Sequence, residues 1–286
     1  MIPMMNLVAW SNVVPWPELR QVEQDLIMSR TIVEIFADSF LGNELRFRGG
    51  TALNKLHFPA PLRYSEDLDL VRTTSGPIGP ILDRIRSVLE PWMGRAVFDQ
   101  SPIAPKLRFR VLAEEGTTEI RLKVEINTSE TEAYDRPQAI PFRVDNPWFS
   151  GYAEVATFSQ EEMLATKLRA LLQRNKARDL FDLAHAINVF PGLNSARVVE
   201  CLGLYLQKSG IRISRAEAEM RMFAKLRSPS FVTDIRPLVS ADEADRLDEA
   251  STRAAFERVF SKLVILLPGN QWVKTEEMKS RFGISF

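Results

Sequence analysis

Residues 45–71 read L-R-F-R-G-G-T-A-L-N-K-L-H-F-P-A-P-L-R-Y-S-E-D-L-D-L-V. A short apolar strand over 45–48 runs into a glycine pair and a helix over 50–57. A loop follows, and then a strand over 67–72 that opens with two carboxylates two residues apart. Successive side chains on a strand point to opposite faces, so Asp67 and Asp69 project together while Leu68 and Leu70 enter a core. Paired carboxylates suit a hard divalent cation, which prefers oxygen ligands. Gly49 and Gly50 let backbone N–H groups at a helix start approach a phosphate. The combination implies a site for a metal-bound nucleoside triphosphate.

Either half alone means less. A glycine pair at a strand-to-helix junction is often only turn chemistry, and an isolated D-x-D is usually a solvated strand edge. It is their succession that points to chemistry.

Outward from this stretch, residues 17–42 carry Leu26, Ile27, Ile32, Val33, Ile35 and Phe36 at helical spacing and stop at Gly42-Asn43. A Gly/Pro-rich turn at 75–80 leads to a helix over 81–92. Residues 106–113 and 118–127 alternate about an E-E-G-T turn and form a hairpin. In its second strand Arg121, Lys123, Glu125 and Asn127 share the polar face, where cross-strand ion pairs are expected. Glu125 is also the candidate third acid. Residues 131–157 are less regular, with Pro137, Pro141 and Pro147, and end in a strand at Ala153–Thr157. Beyond Ser159 helical periodicity dominates, with capping-box patterns at Ser159–Glu162 and Ser214–Glu217. The expectation is an α+β chain: an N-terminal mixed sheet with helices over 1–156, and an all-helical domain over 157–286.

Residues 159–183 hold a second constellation, with five cations at Lys167, Arg169, Arg174, Lys176 and Arg178. Leu164, Leu168, Leu171 and Leu172 make the apolar stripe of a helix, Lys167 and Arg174 border it, and Arg169 points to solvent. Asp179 and Asp182 share a face of the next helix, with Arg178 four residues before Asp182. Such cations and acids could clamp a triphosphate and its metal opposite Asp67 and Asp69.

The bulk numbers exclude other classes. Lys plus Arg and Asp plus Glu each total 37, so a polyanionic partner must be met by a local basic patch. One cysteine and two histidines exclude disulfides and Cys/His metal clusters, and suit a reducing cytoplasm. His57 and His185 read as packing or surface residues. The N-terminus has no basic residue before Arg20 and is a poor signal peptide. The apolar run at 263–267 is too short to span a bilayer, so a cytoplasmic protein with no membrane partner is expected.

R-G-G-T-A-L at 48–53, R-Y-S-E-D-L-D-L at 63–70, K-V-E-I at 123–126, and E-E-M-L-A-T-K-L-R-A-L through K-A-R-D-L-F-D-L at 161–183 together resemble the AbiEii-type nucleotidyltransferase toxins, which include the MenT enzymes. That family belongs to the polymerase-β-like nucleotidyltransferases, so the resemblance implies a bilobed fold whose helical domain contributes a lysine and an aspartate to the cleft. The gap from Gly50 to Asp67 is longer than in the simplest superfamily members, and Gly50 stands where serine is an alternative.

By resemblance, Asp67 and Asp69 hold Mg²⁺ (or Mn²⁺), Lys167 meets the triphosphate, and Asp179 or Asp182 completes the catalytic set with Glu125. Gly49, Gly50, Thr51, Ser65, Arg174 and Arg178 make the nucleotide-binding set. The implied reaction adds a nucleoside monophosphate, with a pyrimidine triphosphate the expected donor, to the 3′ end of tRNA. That would block aminoacylation and translation, and a cognate antitoxin protein is the implied partner. Two other classes stay open: a nucleotidyltransferase acting on a protein or small molecule, and a non-catalytic nucleotide-binding module.

Overall fold

The computed structural model describes residues 2–116, 118–228, 231 and 235–286. The chain divides into two compact units, Met1–Ser159 and Gln160–Phe286.

The first unit begins with helices α1 (Met4–Ser11) and α2 (Leu19–Ala37). Asp25 of α2 is buried and accepts hydrogen bonds from the Trp10 and Trp16 indoles and from Lys55, which joins α1 and the following segment to α2. The helix expected over 17–42 is two helices. Asp38 is extended, and its carboxylate accepts the backbone N–H groups of Phe40 and Leu41, starting α3 (Ser39–Glu44). An aspartate at an N-cap outcompetes helix continuation, and Gly42-Asn43 lies inside α3 rather than ending α2.

The strands are β1 (Leu45–Arg48), β2 (Asp67–Arg72), β3 (Val97–Asp99), β4 (Lys106–Leu112), β5 (Glu119–Asn127), β6 (Gln138–Asn146) and β7 (Phe149–Thr157). Among the described residues these seven form one mixed sheet in the order β3-β4-β5-β2-β1-β7-β6. β2 runs antiparallel to β1 and parallel to β5, so the strand with the paired acids sits inside the sheet. Leu45, Phe47, Leu68, Leu70, Leu122, Val124 and Ile126 are buried on one face, where α2 packs against β5, β6 and β7. The expected hairpin is β4–β5, paired from Lys106↔Glu125 to Leu112↔Glu119. Thr117 of its turn lies outside the described residues.

The stretch expected to be irregular, 131–157, holds a complete hairpin, β6–β7. Pro141 pairs within β6 opposite Glu154, and it is tolerated because β6 is an edge strand that needs hydrogen-bond donors on one side only. The expected helix over 81–92 is α5 (Gly79–Met93), with Pro91 near its end.

In the second unit regular structure is helical throughout the described residues: α6 (Gln160–Gln173), α7 (Ala177–Val189), α8 (Ser195–Lys208), α9 (Arg215–Leu226), α10 (Ala241–Arg246), α11 (Glu249–Lys262) and α12 (Thr275–Phe282), with short 3₁₀ turns. Ser214 caps α9 by accepting the Glu217 N–H, as its sequence pattern expects. α6 packs on α7 and α8, and Phe223 gathers the Phe256, Phe260, Trp272 and Phe282 rings. Among the described residues no helix is long and apolar enough to cross a membrane.

Candidate active site

The glycine pair opens a four-residue helical turn, Gly49–Ala52, that continues as a π-helical turn over Leu53–His57. Gly49 has φ 85°, a left-handed conformation that L side chains rarely adopt. A Cβ at this position would lie 2.2 Å from Asp69 Oδ2, so the absence of a side chain is what lets the acid approach the turn.

Side chains lock this turn to β2. Thr51 is buried and donates its only hydroxyl hydrogen to the Asp67 carbonyl at 2.5 Å. Its contact with Ser65 Oγ at 2.7 Å must then have Ser65 as donor. The long loop between turn and strand is pinned by Asn54, whose amide donates to Gly50 O while its Oδ1 accepts the N–H groups of Leu62 and Arg63. Asn54 was not among the sequence candidates. Its signal was faint, an asparagine four residues into a helix, where asparagine more often bonds locally.

Asp67 and Asp69 leave β2 on the face opposite the core. Strand register puts Asp67 beside Lys123, and Asp69 beside Glu125 on one flank and Arg48 on the other. Two carboxylates directly opposite on neighbouring strands repel one another unless a cation intervenes. Lys123 supplies one, with its ammonium 3.0 Å from Asp67 Oδ2 and 3.2 Å from Glu125 Oε2. Lys106 reaches the same Glu125 oxygen at 3.6 Å. Arg48 is engaged by Glu130 at 2.7 Å.

These charges move the proton affinities. Burial and then the neighbouring charges of Asp67 and Glu125 raise the Asp69 pKa, against the opposing pull of Lys123 and Arg48. Burial alone would weaken the Lys123 ammonium, but the hydrogen bond and charge of Asp67, with Glu125, outweigh it and its pKa is raised. The cross-strand ion pairs expected for this polar face are therefore present. From sequence Lys123 is only one member of that face; its bridging place between Asp67 and Glu125 comes from the strand pairing.

In the second unit Lys167 is buried, its ammonium 3.3 Å from Asp179 Oδ1 and 2.9 Å from Asp182 Oδ2. Both aspartates are fully buried. Arg174 adds a two-pronged contact to Asp179, Nε to Oδ2 at 2.7 Å and Nη2 to Oδ1 at 2.9 Å. Burial opposes the charge of Asp179, yet Arg174 and Lys167 hold its carboxyl below the usual range. Asp182 thus takes Lys167, while Arg178 is half-buried beside it on α7.

The α6–α7 turn carrying Arg174 is fastened from α9. Lys225 donates to Arg174 O at 2.6 Å and Arg221 to Leu172 O at 3.0 Å, both near the C-terminal end of α6 where cations are favoured. Burial lowers the Lys225 pKa to about 8. Arg169 lies over the Tyr205 ring, 5.1 Å from its centroid, instead of pointing to solvent.

A family profile described as nucleotidyl transferase AbiEii toxin, type IV TA system, matches residues 30–261. The chain belongs to the AbiEii family. AbiEii proteins are nucleotidyltransferase toxins of type IV toxin–antitoxin systems, so this chain has a nucleoside triphosphate as its substrate class and an antitoxin as its implied partner. Among solved structures it is similar to MenT4, a nucleotidyltransferase toxin from Mycobacterium tuberculosis H37Rv, at 17% identity over 98% of this chain and 96% of that one, TM-score 0.64. It is also similar to a proposed nucleotidyltransferase from H. pylori, at 17% identity over 92% of this chain and 96% of that one, TM-score 0.50. At such identity the likeness is one of fold. Curated protein sequences give no significant match.

A divalent metal is usual for AbiEii nucleotidyltransferases, and the donor set on β2 and β5 suits one: oxygen ligands only, with burial and then neighbouring negative charge raising the Asp69 pKa. Among the described residues no group of three or more His, Cys, Asp or Glu stands in metal-holding arrangement. The ready-made pair is Asp67 and Asp69, while Glu125 is occupied by two lysines.

Proposed function

We propose that this AbiEii toxin transfers a nucleoside monophosphate from a nucleoside triphosphate to the 3′ end of tRNA, with Mg²⁺ or Mn²⁺ as cofactor. The blocked acceptor end would stop aminoacylation and so translation. The observation that carries the reading is Asp69 lodged against the Cα of Gly49, which puts two carboxylates beside a glycine turn suited to phosphate.

In this reading Asp67 and Asp69 would hold the divalent ion, which would supply charge neutralisation at the α-phosphate and the leaving pyrophosphate. Backbone N–H groups at Gly49, Gly50 and Thr51 cradle phosphate oxygens, and Ser65 orients the loop through Thr51. An acceptor hydroxyl attacks the α-phosphorus, the bond to the β-phosphate bridging oxygen breaks, and pyrophosphate leaves. Glu125 takes the hydroxyl proton or joins as a further metal ligand. The second unit's Lys167, expected to meet the triphosphate, is instead locked between the fully buried Asp179 and Asp182, so in this reading that cluster holds α6 to α7 and supports the turn carrying Arg174. Positioning and electrostatics of this kind carry most of the barrier reduction in such transfers.

Lys167 is too deeply buried between two acids to serve as a surface cation for RNA backbone. On the sheet, Arg108 pairs with Asp99 and Arg110 with Glu119, so the hairpin offers RNA little net positive charge. The test is incubation with each of the four triphosphates, labelled on the α-phosphate, with total tRNA and cell protein, resolving products by size. Label on tRNA that requires Asp67 supports the reading, with pyrimidine triphosphates preferred. Label confined to protein or a small molecule removes tRNA as acceptor, and an Asp67→Ala protein as growth-inhibitory as wild type removes catalysis.

A further inference from the structure

On the polar face of the sheet, the Lys123 ammonium lies between Asp67, its register partner on β2, and Glu125, two residues further along β5. It is 3.0 Å from Asp67 Oδ2 and 3.2 Å from Glu125 Oε2, and Asp69 stands opposite Glu125 between them. The Lys123 charge thus faces carboxylates on two adjacent strands, with Arg48 beside Asp69 on the far flank. Lys106 touches only Glu125, at 3.6 Å, and Arg48 is engaged by Glu130.

We infer that Lys123 is a resident counter-cation of the catalytic acids, whose ammonium must leave Asp67 Oδ2 before a divalent ion is held there. The inference rests on the proposed metal role of Asp67 and Asp69. A partly buried lysine at the sheet surface suits this task, because its four-carbon stem can swing the charge into water without disturbing the strand. An arginine anchored by two prongs would be harder to displace. In the metal-free protein the ion pair offsets the repulsion of Asp69 and Glu125, and its release frees Asp67 while Lys106 stays beside Glu125. Lys123 is therefore a positioning residue: it sets the affinity and occupancy of the divalent ion without touching the nucleotide.

The test is Mn²⁺ binding to the nucleotide-free, full-length protein, read from the loss of the free-ion spin-resonance signal. Wild type, Lys123→Met, Lys123→Gln, Lys123→Arg and Asp67→Asn are compared at one pH and ionic strength. Removing a competing charge this close is expected to tighten Mn²⁺ binding by about tenfold in Lys123→Met and Lys123→Gln. Lys123→Arg, which keeps the charge, should bind no more tightly than wild type. Both neutral variants should also melt earlier than wild type without metal and gain more from added Mn²⁺. Equal or weaker Mn²⁺ binding by folded Lys123→Gln overturns the inference while leaving the metal role of Asp67 intact. Mn²⁺ binding by Asp67→Asn at wild-type strength overturns the metal reading itself, and the role of Lys123 with it.

Discussion

Gly49 and Asp69 meet so closely that a methyl group on the glycine would lie 2.2 Å from the acid's Oδ2 and 2.9 Å from its Cβ. The contact joins the two halves of the motif, glycine turn and acidic strand, into one object. Gly49→Ala must either displace the carboxylate or distort a backbone already at φ 85°. The left-handed conformation alone costs an L residue about 1–2 kcal/mol, and the clash adds to it. The expected result is a folded, destabilised protein whose nucleotidyl transfer falls to background. Wild-type activity in Gly49→Ala would show that Asp69 need not sit where it does.

Thr51 connects the same turn to the Asp67 carbonyl and to Ser65. Thr51→Val keeps the shape, removes both hydrogen bonds and leaves a buried carbonyl without its hydroxyl donor, at a cost of about 1–3 kcal/mol. Thr51→Ser should keep stability within about 1 kcal/mol because the hydroxyl remains. Urea unfolding of the two variants checks this, and equal destabilisation by both would point to packing of the methyl group instead.

Local pattern made much of this legible. Alternation in D-L-D-L placed both acids on one face, and alternation about E-E-G-T gave the β4–β5 hairpin, because both signals are short-range. The β6–β7 hairpin was hidden by Pro141, which is unfavourable within a sheet and acceptable only at an edge, and edge position depends on strand order. Asp38 read as one more polar residue in a long helix, since its capping role depends on the chain turning there. Of the site, the acids and glycines were visible by type and spacing. Lys123 was visible only as part of a polar face and Asn54 not at all, because their particular partners lie on another strand or across a loop.

Lys167 holds two fully buried carboxylates three residues apart on α7. Removing one member of such a buried ionic cluster typically costs about 3–5 kcal/mol. Lys167→Met should therefore lower the urea midpoint strongly, and Lys167→Met combined with Asp182→Asn should regain part of the loss by deleting one negative charge. A midpoint unchanged in Lys167→Met would mean the cluster adds nothing to stability. Loss of activity in any Lys167 variant is interpretable only at a temperature where that variant is folded.

His57, at the end of the π-helical turn, gives a prediction in pH. Its ring is buried, its Nε2 finds no hydrogen-bond partner among the described residues, and burial lowers its pKa to about 4. In the unfolded chain the imidazole takes up its proton near pH 6.5, whereas the folded protein resists until about pH 4. Between those values the unfolded state binds more protons, so this contribution is fully present above pH 6.5 and is lost progressively as pH falls towards 4. From pH 6.5 to 5.0 the loss attributable to His57 should reach about 2 kcal/mol. His57→Gln carries no titrating ring, so its unfolding free energy should fall less steeply over this interval. Denaturant curves for both proteins at pH 7.5, 6.0 and 5.0 give the comparison. Parallel pH profiles would mean that the folded protein admits a proton to His57 as readily as water does.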